Sequence, residues 1–470
     1  MRIKEKKDPK GRQVLVLGAA RQGLALARYL ARHQYPVLLN DKRTELELAA
    51  EIKSLRSLDV EWLLGTHDPA MLKGRPAMVC VSGGVPLDNP MVRYALEMSI
   101  PLTNDTQIFM DLAPCKTIGI TGSAGKTTTT TLLGRMAKAA EGSVYRQAWV
   151  GGNIGDPLLN YLDEMEPEDL AILEVSSFQS ELMTRSMDIA TVLNITPNHL
   201  DRHGTMKEYI AAKARLVQYQ KPNSITLLGR DDNQAWKLRG EVKGRLFSFG
   251  FSPLPEGMDG MRYADGAYTW RQDGVETTLP IGEVLELRGD HNKLNAMAAA
   301  SMALLAGLSV QHVLDGIRGF KGVAHRMEII AKHNGTTWIN DSIATAPERT
   351  IAAVQAFDGP LMLMLGGRDK KLPWNELATL IHQRVESVVL FGEAANLIEK
   401  ALQTKPEGST LKNIVKTTSL RPAVEAAVAL AQPGQTVLFS PGGTSYDEFK
   451  DFAERGEKLK LWLSETFEQK

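Results

Sequence analysis

The chain has 470 residues, more than one ordinary hydrophobic core accommodates, so two or three domains are expected. Its 55 Lys+Arg balance 55 Asp+Glu, and 43% of its residues are hydrophobic. That balance excludes a general nucleic-acid or membrane-surface binder but leaves room for a local anion pocket. Cys80 and Cys115 are the two cysteines, both in apolar surroundings, so a disulfide framework is excluded and a reducing compartment fits. The N-terminal MRIKEKKDPKGR is basic but runs into a short strand-like segment, with no cleavage site and no stretch of about 18 apolar residues. The expected address is cytoplasmic, away from membranes.

Three α/β blocks follow in chain order. Val14-Leu15-Val16-Leu17 reads as a buried parallel strand. It is followed by the glycine-bearing turn Gly18 to Gly23, the helical stretch LALARYLARH, and a second strand from Pro36 to Asn40 that ends at Asp41. Together these make a βαβ unit, and Ala77–Val81 is a further strand. The second block opens at Thr117–Thr121, continues through a glycine loop into the helix TTTTTLLGRMAKAA, and has later strands LAILEV and IATVLNIT. The Ala-rich helix NAMAAASMALLAG closes it. The third block starts near Val323, with strands TTWIND, LMLMLGG, VVLFG and QTVLFS. The expected fold class is α/β in three domains, 1–105, 106–322 and 323–470, each with a mainly parallel sheet: Rossmann-like, then phosphate-loop, then Rossmann-like.

The central loop is Gly122-Ser123-Ala124-Gly125-Lys126-Thr127-Thr128. Its glycines let backbone N–H groups approach phosphate oxygens without a Cβ in the way. The following helix adds its positive end, Lys126 would neutralise the β- and γ-phosphates, and Thr127 can place a hydroxyl on Mg²⁺. A longer phosphate loop would carry a glycine where Ile120 stands, so this is the shorter form. The first glycine turn is weaker. Ala20 replaces the middle glycine of a dinucleotide fingerprint, although Asp41 sits where an acid would meet a ribose. A nucleotide site and a plain tight strand–helix connection both fit it.

In open parallel sheets ligands bind beyond the carboxyl ends of strands. Glu174 in LEVSS and His199 in NITPNH end there beside the phosphate loop, a plausible Mg²⁺ shell, although a helix cap and a structural imidazole are the ordinary roles of such residues. Lys213, on a helix with apolar neighbours, reads on its own as a solvated surface group.

With these pieces in view the chain resembles the Mur ligase family of peptidoglycan precursor enzymes. The resemblance rests on motifs in order over nearly the whole chain: ITGSAGKTTTT, VGGNIG, LEVSSFQ, NITPNHLDRH, EYIAAKARL, GDHNKLNA, HRME, NDSIAT, LGGRDKK and SPGGTSYDEFKDF. It is most similar to the members that join glutamate to UDP-N-acetylmuramoyl-L-alanine, with ATP consumed through an acyl phosphate. The resemblance implies that Lys126, His199 and Lys213 are catalytic, and that Gly122 to Thr128, Asn292, Asn295, Arg326 and Asp341 bind ATP. It implies two Mg²⁺ ions held by Thr127, Glu174, His199 and a carbamylated Lys213. Gly18, Asp41, Arg43 and Asn153 would bind the UDP-linked substrate, and Thr345, Lys370, Ser445 and Phe452 the incoming glutamate. The enzyme is expected to act as a monomer on small molecules, with ATP held between the second and third domains.

One segment departs from the family pattern. Where many members read D-S-K-A-T-N, this chain has Asp341-Ser342-Ile343-Ala344-Thr345-Ala346, with Pro347 next. A similar run is found in a related branch that adds L-glutamate, so D-glutamate and L-glutamate stay open as acceptors. Three other readings compete: a folylpolyglutamate synthase-like ligase, a non-catalytic nucleotide-binding homologue, and an NAD-dependent oxidoreductase resting on the first glycine turn alone.

Overall fold

Four consecutive buried residues, Val14–Leu17 (β1), start the first sheet. In this computed structural model, which describes residues 12–468 except 288 and 371, they pair in parallel with Val37–Asp41 (β2) and Met78–Val81 (β4). The basic start of the chain, and the last lysine of the LGGRDKK run, therefore lie outside the described residues. Val60–Leu64 (β3) and Leu102–Thr103 (β5) are strands that the sequence patterning did not single out. The order β3-β2-β1-β4-β5 reverses direction between β1 and β4, which opens a crevice at the end of β1. Gly18 occupies that end with φ +89°, and a Cβ on Gly23 would lie 1.7 Å from the Gly18 carbonyl oxygen. Both glycines are thus needed for close approach of helix to strand. The helix begins at Arg21, inside the expected turn, and buries Leu26, Ala27 and Leu30 on one face.

The second sheet has nine strands: Lys116–Thr121 (β6), Ala148–Gly152 (β7), Leu170–Glu174 (β8), Ile189–Val192 (β9), Ile225–Gly229 (β10), Arg245–Gly250 (β11), Asp259–Ala264 (β12), Ala267–Gln272 (β13) and Val275–Leu279 (β14). Its order is β14-β13-β12-β11-β10-β9-β6-β8-β7. The central β6 is flanked by β8 and β9, both parallel to it, so three strand ends meet beside the phosphate loop. The antiparallel extension β12–β14 turns on Asp265-Gly266 and Asp273-Gly274, all four residues at positive φ. Two-residue Asp-Gly loops of this kind match the twist of a hairpin. The helix Lys126–Ala139 packs against the Ala-rich helix Asp290–Ala306, whose small side chains allow the two axes to come close.

The third sheet comprises Glu328–His333 (β15), Thr336–Asn340 (β16), Leu361–Gly366 (β17), Ser387–Phe391 (β18), Asn413–Lys416 (β19) and Thr436–Gly442 (β20), in the order β15-β16-β20-β17-β18-β19. All neighbours are parallel except β15 and β16. Strand alternation sends Leu363, Leu365 and Leu438 to one core and Met362, Met364, Val437 and Phe439 to the other. The structure is thus α/β with three mainly parallel sheets. By contacts the chain forms two compact units: residues 1–320, with the first two sheets, and residues 321–470, with the third. Both cysteines are free and buried. Among the described residues no helix is long and apolar enough to cross a membrane.

Candidate phosphoryl-transfer site

β6 ends at Thr121, and the chain turns through Gly122–Gly125 into the helix that starts at Lys126. Gly125 has φ +83°, and a Cβ there would sit 2.2 Å from Asn295 Oδ1, so any other residue would be strained and would have to displace Asn295. The segment after β9 clamps the loop. Ala124 N–H donates to Asn194 Oδ1 at 2.9 Å, Asn194 Nδ2 returns a bond to the Ala124 carbonyl, and Ser123 Oγ bonds the Thr196 carbonyl at 2.9 Å. Lys126 folds back over the loop and donates to the carbonyls of Gly122 (2.8 Å) and Ser123 (3.2 Å). Thr127 and Thr128 stand in the first helical turn.

Lys213 reaches the same point from the helix Met206–Gln218. It is 1% exposed, and its Nζ donates to the Gly122 carbonyl at 2.9 Å and lies 3.4 Å from Thr121 Oγ1. Two lysine nitrogens therefore converge on one carbonyl oxygen. Burial first, and the charge of Lys126 second, hold the Lys213 amine well below the ordinary lysine range. A shift in this direction favours the uncharged amine, the form that can attack carbon dioxide and become a carbamate.

Glu174 ends β8 opposite Ile120 and is 2% exposed. Its Oε1 accepts from Asn153 Nδ2 at 2.8 Å, whereas its Oε2 is buried with no hydrogen-bond partner. A buried carboxylate oxygen left without a donor is poised to take a cation. His199 is exposed and left-handed (φ +53°), caps the helix Leu200–His203, and sets its ring edge-on to Phe178 at 5.1 Å. Among the described residues, no three His, Cys, Asp or Glu side chains gather as a metal cage. The Thr127 hydroxyl and the Glu174 carboxylate are oxygen donors of the kind Mg²⁺ takes beside waters and phosphate oxygens.

Asn295 is buried beside the loop. Thr129 Oγ1 lies 3.4 Å from its Oδ1, and its Nδ2 lies 3.4 Å from Asn292 Oδ1. Asn153 joins the two sheets of this unit: its carbonyl accepts from Arg21 at 2.8 Å while its side chain holds Glu174. Gly18, Asp41 and Arg43 gather at the end of the first sheet. Asp41 accepts from Ala19 N–H at 2.7 Å and from the Arg43 guanidinium at 3.0 and 3.1 Å. Burial pushes the Asp41 carboxyl up, but these bonds outweigh it and hold it at about 2.

In the second unit, left-handed His325 and Met327 flank Arg326, a strained backbone of the sort found where a side chain must be aimed. Asp341, 5% exposed, accepts from Met327 N–H (3.2 Å) and Ser440 Oγ (2.9 Å), and burial raises its carboxyl to about 6. Lys370 Nζ lies 3.3 Å from Thr345 Oγ1, its pKa lowered by burial and by Arg349. Ser445 is buried, and the Phe452 carbonyl accepts from Ser342 Oγ at 2.7 Å. Pro347 opens the helix Pro347–Gln355, a position that suits its missing N–H.

Three family models cover most of the chain. The Mur ligase MurD-like N-terminal domain matches residues 12–104, the Mur ligase middle domain residues 120–303, and the Mur ligase glutamate ligase domain residues 325–443. The chain belongs to the Mur ligase family. A Mur ligase of Pelotomaculum thermopropionicum, called UDP-N-acetylmuramoylalanine–D-glutamate ligase, is 37% identical over 97% of this chain and 98% of its own. A protein of the same name from Acetivibrio thermocellus is 35% identical over 97% of each. Among solved structures, the fold is similar to UDP-N-acetylmuramate-alanine ligase MurC from Thermotoga maritima, with TM-score 0.53, 18% identity, and coverage of 97% of this chain and 99% of that one.

Sequence reasoning missed residues that hold this Mur ligase site together. Tyr209 stands one helical turn before Lys213, and its hydroxyl lies 2.9 Å from Ser123 Oγ. The i, i+4 spacing was the available signal. Arg455 is fully buried, donates to Ser342 and Gly443, and is lowered by burial to about 10. No local pattern marks it. A cavity of about 300 Å³, lined in part by Glu181, Arg202, His203 and Arg215, lies on the face of the Met206–Gln218 helix opposite Lys213, and no phosphate-loop residue lines it.

Proposed function

We propose that the chain is an ATP-dependent ligase that joins D-glutamate to UDP-N-acetylmuramoyl-L-alanine in cytoplasmic peptidoglycan precursor synthesis. The observation that carries the reading is the convergence of Lys126, Lys213 and the unpartnered Glu174 Oε2 at one glycine loop. Relatives named for this reaction, similar over nearly their full length, support the substrate class. In this reading residues 1–105 bind the UDP-linked substrate through Gly18, Asp41, Arg43 and Asn153. Residues 106–322 bind ATP, with Asn292 and Asn295 at the adenine, and residues 323–470 bring Arg326 and Asp341 to ATP. Thr345, Lys370, Ser445 and Phe452 receive glutamate. The chain is proposed to act as a monomer on these small molecules.

The chemistry follows from charge. An alanyl carboxylate resists attack by an amine, so its oxygen first attacks the γ-phosphorus of ATP, and the bond to the ADP oxygen breaks. The glutamate amine, having lost a proton, then attacks the acyl carbon, and inorganic phosphate leaves with the acyl oxygen. Lys126 and the loop N–H groups stabilise the charge on the transferred phosphoryl group. Two Mg²⁺ ions, held by Thr127, Glu174, His199 and carbamylated Lys213, would neutralise phosphate charge. Lys370 supplies the cation that a dianionic amino acid requires.

Incubation with ATP, Mg²⁺ and UDP-N-acetylmuramoyl-L-alanine, with D- or L-glutamate supplied separately, tests the proposal. ADP release and amide product with D-glutamate are expected. Ile343, Ala346 and Pro347 favour a second reading, and product with L-glutamate alone would establish it. No product with either enantiomer would sink the ligase reading.

A further inference from the structure

Ser177 and His203, both buried, and the partly exposed Glu181 form a relay outside the groups assigned above. Ser177 Oγ lies 2.9 Å from His203 Nε2, and His203 Nδ1 lies 3.0 Å from Glu181 Oε1. His203 thus bridges the Ser177 hydroxyl and the Glu181 carboxyl through its two ring nitrogens. The order hydroxyl–imidazole–acid is that of a nucleophilic triad. However, Ser177 is 3% exposed and does not line the neighbouring cavity, so no substrate carbon reaches its Oγ. The relay holds structure instead.

What it holds follows from the neighbours of the imidazole. Ser177 begins the short helix that follows the Glu174 strand end. His203 closes the helix that His199 caps. One face of the His203 ring stacks on Phe178 (centroids 5.2 Å apart, 14° between planes), and Phe178 also meets the His199 ring. The His203 ring also meets Tyr209 at 5.1 Å. The Tyr209 hydroxyl bonds Ser123 of the phosphate loop, and its ring lies 4.8 Å from Lys213 Nζ. A single side chain thus touches segments that carry Glu174, His199 and Lys213, and meets the loop through Tyr209.

We infer that His203 is a positioning residue of the phosphoryl-transfer site, fixing the Glu174, His199 and Lys213 segments against the phosphate loop through its bonds to Ser177 and Glu181 and its two ring contacts. The inference rests on the ligase reading above. His203→Phe keeps a flat ring between Phe178 and Tyr209 but removes both hydrogen bonds, and Ser177→Ala removes one bond with little change in packing. Mn²⁺ binding in the presence of ATP, read by electron paramagnetic resonance, reports the metal site without turnover, and steady-state ligation gives kcat and KM. His203→Phe is expected to weaken Mn²⁺ binding and to lower kcat by about tenfold or more, as for lost partners of metal ligands. KM for glutamate should not change. Ser177→Ala should move both quantities the same way by less, and it decides the matter if His203→Phe does not fold. Metal affinity within about twofold of the parent would overturn the inference, even where kcat falls, since that is the mark of a general structural role. Failure of the parent itself to bind Mn²⁺ with ATP would overturn the ligase reading, and this inference with it.

Discussion

Two lysines on one carbonyl oxygen define the residue scale. Lys126 and Lys213 both donate to Gly122, and two full charges at that one oxygen would repel each other. Burial weighs on Lys213, which is 1% exposed and whose amine is held well below the ordinary lysine range. Lys126→Ala should leave the melting temperature unchanged while lowering kcat by about 10²–10³-fold, measured as ADP release. Near-normal turnover would show that the loop does not grip phosphate. Lys213→Ala should abolish ligation, with partial recovery on adding a small carboxylate that stands in for the carbamate. Unaltered activity in that variant would refute its role. Lys126 was legible because glycine spacing and the following helix announce its chemistry. Lys213 was not: helical periodicity gives a face, but not the charge that another strand brings opposite it. Only the family resemblance singled it out.

At the scale of elements, burial overrides local electrostatics in the helix Asp105–Leu112. A carboxylate in a first helical turn is favoured by the helix dipole by about 0.3–1 kcal/mol. Asp105 is nevertheless 4% exposed, its Oδ1 has no partner, and burial raises its carboxyl to about 6. A carboxyl raised above its unfolded value of 3.8 contributes stability that is present below about pH 4 and lost as pH rises through 6. Asp105→Asn should therefore stabilise the protein by about 1–2 kcal/mol at pH 8 and by nothing at pH 4, read by denaturant unfolding. Asp341 titrates in the same window, so the difference between parent and variant is the quantity to follow. Among the strands, β1, β6 and β8 were legible as apolar runs. The β12–β14 extension carried its signal in two Asp-Gly pairs, but alternation there is weak because the edge strand exposes Val275 to Thr278. β5 has two residues, too few for any period to appear.

For the whole molecule, the three α/β blocks were readable from alternating strand and helix patterns, whereas the pairing order within each sheet was not. Nothing local tells β6 to seat itself between β8 and β9. That order has a consequence for how the chain reaches its native state. The hairpins β12–β13 and β13–β14 join neighbours across two residues and can close within about 1–10 μs. β6 finds its first partner only after some fifty residues of intervening chain, and long-range parallel pairing is intrinsically slow. Pulse-labelled hydrogen exchange during refolding should therefore protect the amides of 260–279 before those of 117–121. The reverse order would mean that the nucleus forms around the phosphate loop. In the expected order the loop that grips the nucleotide is among the last parts of its sheet to form, and a newly made chain passes through a period in which it has edges but no centre.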